Sequence, residues 1–163
     1  DDDAERRRVD FAFVDARLVQ SRQQLMTAIV QAIVGAMRRD PKRPDAEVGL
    51  KTPSIHSDLL WTLHSNNNIA EALRRFGVSR TTRTLILVRV APPLDAGEIV
   101  QHMTQLVDGT LQTRGLSLPS PALAWSELGT AYKIQDTPAF QHPDTSQVDA
   151  LICSMVASKY VGA

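Results

Sequence analysis

Apolar residues recur along the chain in blocks with a helical period. Leu25, Ile29, Ile33 and Met37 follow one another every four residues, with Ala28, Ala32 and Ala36 beside them, which predicts one apolar stripe on a helix of about four turns. Ser21-Arg22-Gln23-Gln24 ahead of it has the form of a capping box: the Ser21 hydroxyl takes a first-turn amide and Gln24 reaches back to the Ser21 amide. Gly35 weakens the end of this helix, and Arg38-Arg39 complement its carbonyl end. From Ser54 to Leu63, Ile55, Leu59, Leu60 and Leu63 fall on one side of a second helix with Trp61 flanking. His64-Ser65-Asn66-Asn67-Asn68 breaks it, and Asn68 caps a third helix through Phe76. In that helix Ile69, Ala72, Leu73 and Phe76 form the buried stripe, Glu71, Arg74 and Arg75 face out, and Gly77 supplies a left-handed residue past the end. Asp95 to Val107 carries Ile99, Val100, Met103, Leu106 and Val107 at helical spacing before Asp108-Gly109. A short helix holds Leu123, Leu128 and Tyr132. The last helix, Thr145 to about Tyr160, has Val148, Leu151, Ile152, Met155 and Val156 as its stripe.

Two segments have strand character. Val9 to Val14 is rich in strand formers, and Thr84 to Val90 is a near-continuous apolar run ended by Pro92-Pro93, which predicts a central strand covered on both faces. Residues 40–48, with Pro41 and Pro44 among charges, form a surface loop. The stretch from Leu116 to Pro121 and the one marked by Pro138, His142 and Pro143 are loops as well. There is no internal repeat and no long linker, so residues 1–163 form a single domain with a charged lead-in over 1–8. The fold class is α+β: a helix-rich mixed α/β domain with a small sheet.

Composition narrows the function classes. At 163 residues, 43% hydrophobic and 22% charged, the balance is that of an ordinary globular domain. No apolar run approaches the ~18–20 residues of a membrane span, and the opening Asp1-Asp2-Asp3-Ala4-Glu5-Arg6-Arg7-Arg8 has no signal-peptide character. A soluble intracellular protein is expected. One cysteine, Cys153, excludes an internal disulfide framework. The zero net charge conceals an asymmetry: residues 37–90 carry ten Lys or Arg against five acids, whereas residues 91–163 carry three against seven. A basic face toward a polyanion and chance clustering both accommodate those counts.

Catalytic patterns are missing. The glycines never cluster as a phosphate loop requires, there is no Gly-x-Ser-x-Gly elbow, and His56, His64, His102 and His142 are dispersed. Cys153 lies on the apolar side of the last helix, as a small core residue or, alternatively, a reactive thiol. His56 and His64, eight apart without a carboxylate partner, make a poor metal site. An enzyme using His56 with Cys153, or Ser57 with His64, lacks support from spacing. Neither catalysis, metal nor cofactor is expected.

Two features remain. Asn66-Asn67-Asn68 brings three amides that each donate and accept. They can hold the turn itself, or bond a partner's backbone beside the apolar anchor Ile69. Leu50-Lys51-Thr52-Pro53-Ser54-Ile55-His56-Ser57-Asp58 gathers cations and hydroxyls where a helix begins, a place that favours anions. Arg74 and Arg75 on the next helix extend it toward phosphate binding, or are plain surface charge.

These same residues carry a resemblance. Leu50-Lys51-Thr52 through His56-Ser57-Asp58-Leu59-Leu60, then Ser65-Asn66-Asn67-Asn68-Ile69 leading into Arg74-Arg75-Phe76-Gly77, resembles the Cgi/TPRKB family, as do Tyr132-Lys133-Ile134 and Asp149-Ala150-Leu151-Ile152-Cys153-Ser154-Met155. The likeness spans about Phe11 to Val156. Pro53 stands where the family has arginine, Asp58 where it has glutamate, and His64-Ser65 where it has Ser-Pro. Family members begin with another strand and helices, so this chain is expected to lack them. The resemblance implies a non-catalytic subunit of the KEOPS (EKC) complex, cytoplasmic and nuclear, that docks on the Bud-type atypical kinase and indirectly serves the ATPase-like catalytic subunit. It implies tRNA binding at the 3′ CCA end, for threonylcarbamoylation of the adenosine next to the anticodon. On that basis Asn66, Asn67, Asn68 and Ile69 are the kinase-facing residues, and Lys51, His56, Arg74 and Arg75 the tRNA-facing ones. A scaffold that binds the kinase and no nucleic acid is the alternative.

Overall fold

The computed structural model describes residues 10–38, 49–92, 95–112, 124–142 and 144–161. Its elements run β1 (Ala12–Asp15), a 3-10 turn (Ala16–Leu18), α1 (Arg22–Met37), α2 (Ile55–Leu63), α3 (Ile69–Phe76), β2 (Leu85–Val88), α4 (Ala96–Leu106), α5 (Trp125–Tyr132), α6 (Pro138–Gln141) and α7 (Thr145–Ala157). The architecture is helix-rich α+β with a two-stranded antiparallel sheet. The expected residues Val9, Arg39, the loop 40–48, the stretch 116–121, Leu123 and Pro143 lie outside the described residues.

Helix α1 is central, packed against α2 on one side and α7 on the other. Ser21 caps it by accepting the Gln24 amide at 3.0 Å. The other half of the predicted capping box closes one residue earlier: Gln24 Oε1 accepts the amide of Gln20, at 2.6 Å, instead of that of Ser21. The buried Gln24 also donates to Leu18 O and Tyr132 Oη, at 3.0 and 2.8 Å, which ties the start of α1 to α5. The stripe of α1 differs from the one expected. Its buried residues are Gln24, Leu25, Ala28, Ala32 and Gly35, while Met37 is 75% exposed. A row of residues four apart advances about 40° around the helix at each step, so by Met37 it has left the buried arc. The small side chains at 28, 32 and 35 let neighbouring chain approach. A Cβ on Gly35 would lie 2.2 Å from Tyr160 Oη, and one on Gly49 would lie 1.9 Å from Gly35 O.

β1 and β2 pair Ala12 with Val88 through Asp15 with Leu85, and Ala16 N donates to Thr84 O at 3.1 Å to extend the ladder by one step. The apolar run 84–90 is therefore not a central strand covered on both faces: only Val88 of β2 is fully buried, and β1 is its one partner among the described residues. A run of aliphatics signals burial in general and not the number of neighbouring strands. Continued past Ala12 and Val88, the register would set Phe11 opposite Arg89 and Asp10 opposite Val90, but the Val90 amide donates to His56 Nε2 at 3.0 Å instead. The buried Asp15 closes the other end, accepting Arg17 N and Nε at 3.0 Å each and the Thr82 hydroxyl.

Other elements differ in detail. Pro138 opens a single helical turn in place of the expected loop; as a first-turn residue it needs no amide donor. Gly77 has φ −77°, so α3 ends without a left-handed residue. Lys133 adopts that conformation (φ 56°) past α5 instead. In α3, Ala72 and Phe76 are buried while Ile69 and Leu73 are 38% and 40% exposed. α4 buries none of its residues. The core is shared by Val14, Leu25, Ala28, Leu59, Leu63, Phe76, Leu128, Tyr132 and Ile152. Cys153 sits beside it, and burial raises its thiol to about 11, which keeps it protonated and unreactive.

Replacing Gly35 with alanine tests the close approach. Helix propensity alone favours alanine by about 1 kcal/mol, but overpacking costs about 1–3 kcal/mol, so Gly35→Ala is expected to lower the urea midpoint. A raised midpoint would mean that Tyr160 moves aside freely.

Candidate functional site

The asparagine turn between α2 and α3 is held from inside the molecule by its carbonyls. The Lys159 ammonium donates to His64 O at 2.7 Å and to Asn66 O, and lies 4.4 Å from the centroid of the Trp61 ring. Trp61 Nε1 donates to Asn67 O at 3.4 Å. Lys159 is only 7% exposed, and that burial lowers its ammonium from 10.5 to about 8. Ser65 Oγ, donating to Ala131 O at 2.6 Å, fastens the same turn to α5.

Two of the three asparagines are spent on the turn. Asn66 Oδ1 accepts the Asn68 amide at 2.8 Å, its Nδ2 donates to Glu71 Oε2 at 3.3 Å, and its own amide donates to His64 Nδ1 at 3.1 Å. Asn68 Oδ1 accepts the Glu71 amide at 3.0 Å and caps α3. The side chain of Asn67 is exposed and bonds nothing among the described residues. Beside it stand Ile69, then Leu73 one turn on. Glu71 organises the polar flank: Arg75 Nε donates to it at 2.8 Å and Arg74 Nη2 approaches at 3.8 Å. Hydrogen bonds from Arg75 and then Asn66 hold its carboxyl below the usual range. His64 Nε2 is buried, without a hydrogen-bond partner and 4.0 Å from Glu71 Oε1. Desolvation is the main reason its imidazole titrates below 6.5.

The start of α2 is closed on itself rather than open to an anion. Asp58, fully buried, accepts the amides of Lys51 and Thr52 at 3.0 and 2.7 Å and the Tyr160 hydroxyl at 2.7 Å. Ser54 caps the helix by accepting the Ser57 amide at 3.2 Å, and Thr52 Oγ1 donates to Ser57 Oγ at 2.8 Å. His56 is 4% exposed; besides receiving the Val90 amide at Nε2, it brings Nδ1 within 2.7 Å of Asp10 Oδ1. Of the four residues expected to face tRNA, Lys51 is exposed, Arg74 projects into solvent, Arg75 is tied to Glu71, and His56 is enclosed.

The asparagine turn and the Lys51–Thr52 segment fall at the two ends of α2, about 13 Å apart for nine residues at 1.5 Å each. α3 returns alongside α2, and an open groove of about 480 Å³ runs between them and β1. Phe11, Phe13, Ser57, Leu60, Leu73 and Val78 are among its lining residues. Ser57 and His64 are set apart by the length of the helix, so they form no nucleophile and base pair. No group of three His, Cys, Asp or Glu among the described residues could hold a metal ion, and no described helix is long and apolar enough to cross a membrane.

Sequence reasoning passed over the roles of Lys159 and Tyr160, the residues that fix both ends of α2 from behind. Nothing local marks them, since their partners lie far away along the chain. It also left out Arg80 and Arg83, exposed and without a carboxylate partner among the described residues. The excess of cations over residues 37–90 was the signal that could have found them.

The family model described as kinase binding protein CGI-121 matches residues 3–160. The EKC/KEOPS complex subunit CGI121 of Gibberella zeae is 36% identical over 107 residues, covering 61% of this chain and 50% of that protein. Its counterpart in Aspergillus terreus is 33% identical over 103 residues, covering 62% and 48%. The chain thus spans about half the length of these two relatives. The subunit of Cryptococcus neoformans is 30% identical over 185 residues, covering 98% of this chain and 80% of the relative. A match running from residue 3 to residue 160 takes in all ten elements described above, and the chain belongs to the kinase-binding protein CGI-121 family.

Proposed function

We propose that this chain is a non-catalytic docking subunit of a KEOPS/EKC assembly. It offers the asparagine turn and the outer face of α3 to the Bud-type kinase, and it helps recruit tRNA by its 3′ CCA end. The observation that supports the reading best is the pairing of Ile69 and Leu73 with Asn67. Two aliphatic side chains stand half in solvent on a helix whose other face is buried, next to an amide the turn does not use. Burying what remains exposed of these aliphatics against a partner yields on the order of 0.5–1 kcal/mol each, and an uncharged amide beside them can bond the partner's backbone without the cost of stripping water from an ion. In this arrangement Asn66 and Asn68 shape the surface and Asn67 with Ile69 meets the kinase.

Lys51 and Arg74 are the exposed cations of the tRNA-facing set, Arg75 contributes from its seat on Glu71, and His56 acts from inside by holding the Val90 amide. The single-stranded end of tRNA presents phosphates and splayed bases, which basic groups and apolar surfaces hold together. The scaffold reading, with no nucleic acid bound, draws support from the inward-turned hydroxyls of Thr52, Ser54 and Ser57 and from the enclosed His56.

Ile69→Glu is expected to abolish co-purification with the kinase while the circular dichroism and urea midpoint stay unchanged; an intact complex removes the turn from the interface. Lys51→Glu combined with Arg74→Glu is expected to weaken binding to intact tRNA and to flatten its dependence on log salt by about 1.4, the value for two phosphates of a single strand that are no longer neutralised. Equal affinity of the native chain for intact tRNA and for tRNA trimmed of its CCA end would leave the scaffold alone. Acid provides a further check. Because His64 titrates below 6.5 when folded, the unfolded chain takes the proton first, so its contribution is intact above about pH 6.5 and lost as pH falls below it. Kinase affinity and the urea midpoint should both drop between pH ~7.5 and pH ~5.5, and drop less in His64→Asn.

A further inference from the structure

We propose that Lys159 and Tyr160 are the positioning residues of both candidate surfaces, one holding the asparagine turn and the other the Lys51–Thr52 segment. The inference deepens the docking reading above and rests on it for its binding consequence, though not for its structural one. α7 ends at Ala157, and the chain continues as a tight turn, with Lys159 N donating to Val156 O at 3.2 Å and Val161 N to Ser158 O at 2.9 Å. That turn aims two consecutive side chains at opposite ends of α2. Lys159 reaches His64 O and Asn66 O at its C-terminal end. Tyr160 reaches the carboxylate of Asp58, which in turn accepts Lys51 N and Thr52 N at its N-terminal end.

The chemistry of each contact points to placement rather than to stability. A buried cation ordinarily has a carboxylate partner. Lys159 has none among the described residues; its charge is met by two peptide oxygens and the face of Trp61. Such a group is held charged at neutral pH against its own desolvation, whereas an apolar side chain of that length would pack over Trp61 without that cost. What an apolar side chain could not do is turn two carbonyls of the asparagine run inward and so leave the Asn67 side chain facing out. Tyr160 is clamped for the same purpose. Its carbonyl accepts Arg38 Nη1 at 3.1 Å, its ring lies edge-on to Trp61 at 5.3 Å, and Gly35 leaves the space its hydroxyl occupies. With Trp61 touching both residues, the two ends of α2 are referred to one fixed point.

Three variants of the full chain separate the roles: Lys159→Met, which keeps the stem and removes the donors; Lys159→Arg, which keeps charge and donors; and Tyr160→Phe, which loses only the hydroxyl. Amide exchange by NMR without any partner is the first measurement, with the Trp61 indole N–H resonance as its spectroscopic signature. Lys159→Met is expected to speed exchange at Asn66 and Asn68 at least tenfold and to shift the Trp61 indole signal, with Lys51 and Thr52 unaffected. Tyr160→Phe is expected to do the reverse, and Lys159→Arg to restore the native pattern at the turn. Unchanged exchange at the turn in Lys159→Met, or no restoration by arginine, overturns the proposal. Should Lys159→Met fail to fold, Lys159→Gln carries the same comparison. Binding of the purified kinase is measured second, with at least a tenfold loss expected for Lys159→Met, recovered by Lys159→Arg. Faster exchange with undiminished kinase affinity would leave the positioning intact and overturn instead the assignment of the turn to the kinase.

Discussion

An ammonium group with no counter-ion among the described residues sits where the C-terminal turn meets the connection between α2 and α3, and the geometry of the surface follows from how its charge is met. Peptide carbonyls are the acceptors in reach, so the turn must present its oxygens inward. Once they point inward, the asparagine side chains have only two tasks left: closing the turn and capping the next helix. Asn66 and Asn68 perform these because they stand at the positions where a side-chain oxygen meets an amide two or three residues on. Asn67 stands at neither and is left to the solvent. The exposed amide is thus a by-product of a constraint applied from the opposite side of the chain.

The rest of the domain serves to bring that constraint into place. α1 makes it possible by being thin along one side: alanine and glycine at 28, 32 and 35 allow α2 and α7 to close on it, and Tyr160 slides into the gap at Gly35. Gln24 does comparable work at the other end of α1, where one amide side chain joins the helix start, the 3-10 turn and Tyr132, whose hydroxyl continues to Leu63 O at 2.5 Å. The two chains of hydrogen bonds both reach α2 and its flanking turns, one at Leu63 O and the other at His64 O and Asp58.

Local chemistry was legible in the sequence, and long-range chemistry was not. Ser21 and Asn68 announced their caps because a cap is an agreement among residues two or three apart. The existence of α1, α2, α3, α4, α5 and α7 followed from periodicity. Which face each helix buries did not follow so well: a four-residue row drifts around a long helix, and on α3 the aliphatics Ile69 and Leu73 belong to the outer side. The strand at 85–88 was recognised and its neighbours were not, since pairing is decided by segments far apart along the chain. Among the site residues, His56 read as a surface base because it stands in a run of polar residues; only the fold reveals Val90 and Asp10 around it. Lys159 was invisible for the same reason, with acceptors more than ninety residues away.

The imidazole at the end of the sheet has a consequence for how the protein behaves in company. A two-stranded ribbon exposes peptide groups that another chain could zip onto, which is the usual route to edge-to-edge aggregation. Past Val88 the next inward amide is already taken by a ring nitrogen, and the ring itself is enclosed. A foreign strand cannot lengthen the ladder in that direction without first prising a buried side chain out of the body of the domain. His56 therefore works as a stopper on the β1-facing side of the strand, setting the length of the sheet there and leaving the outward edge of β2 outside its reach.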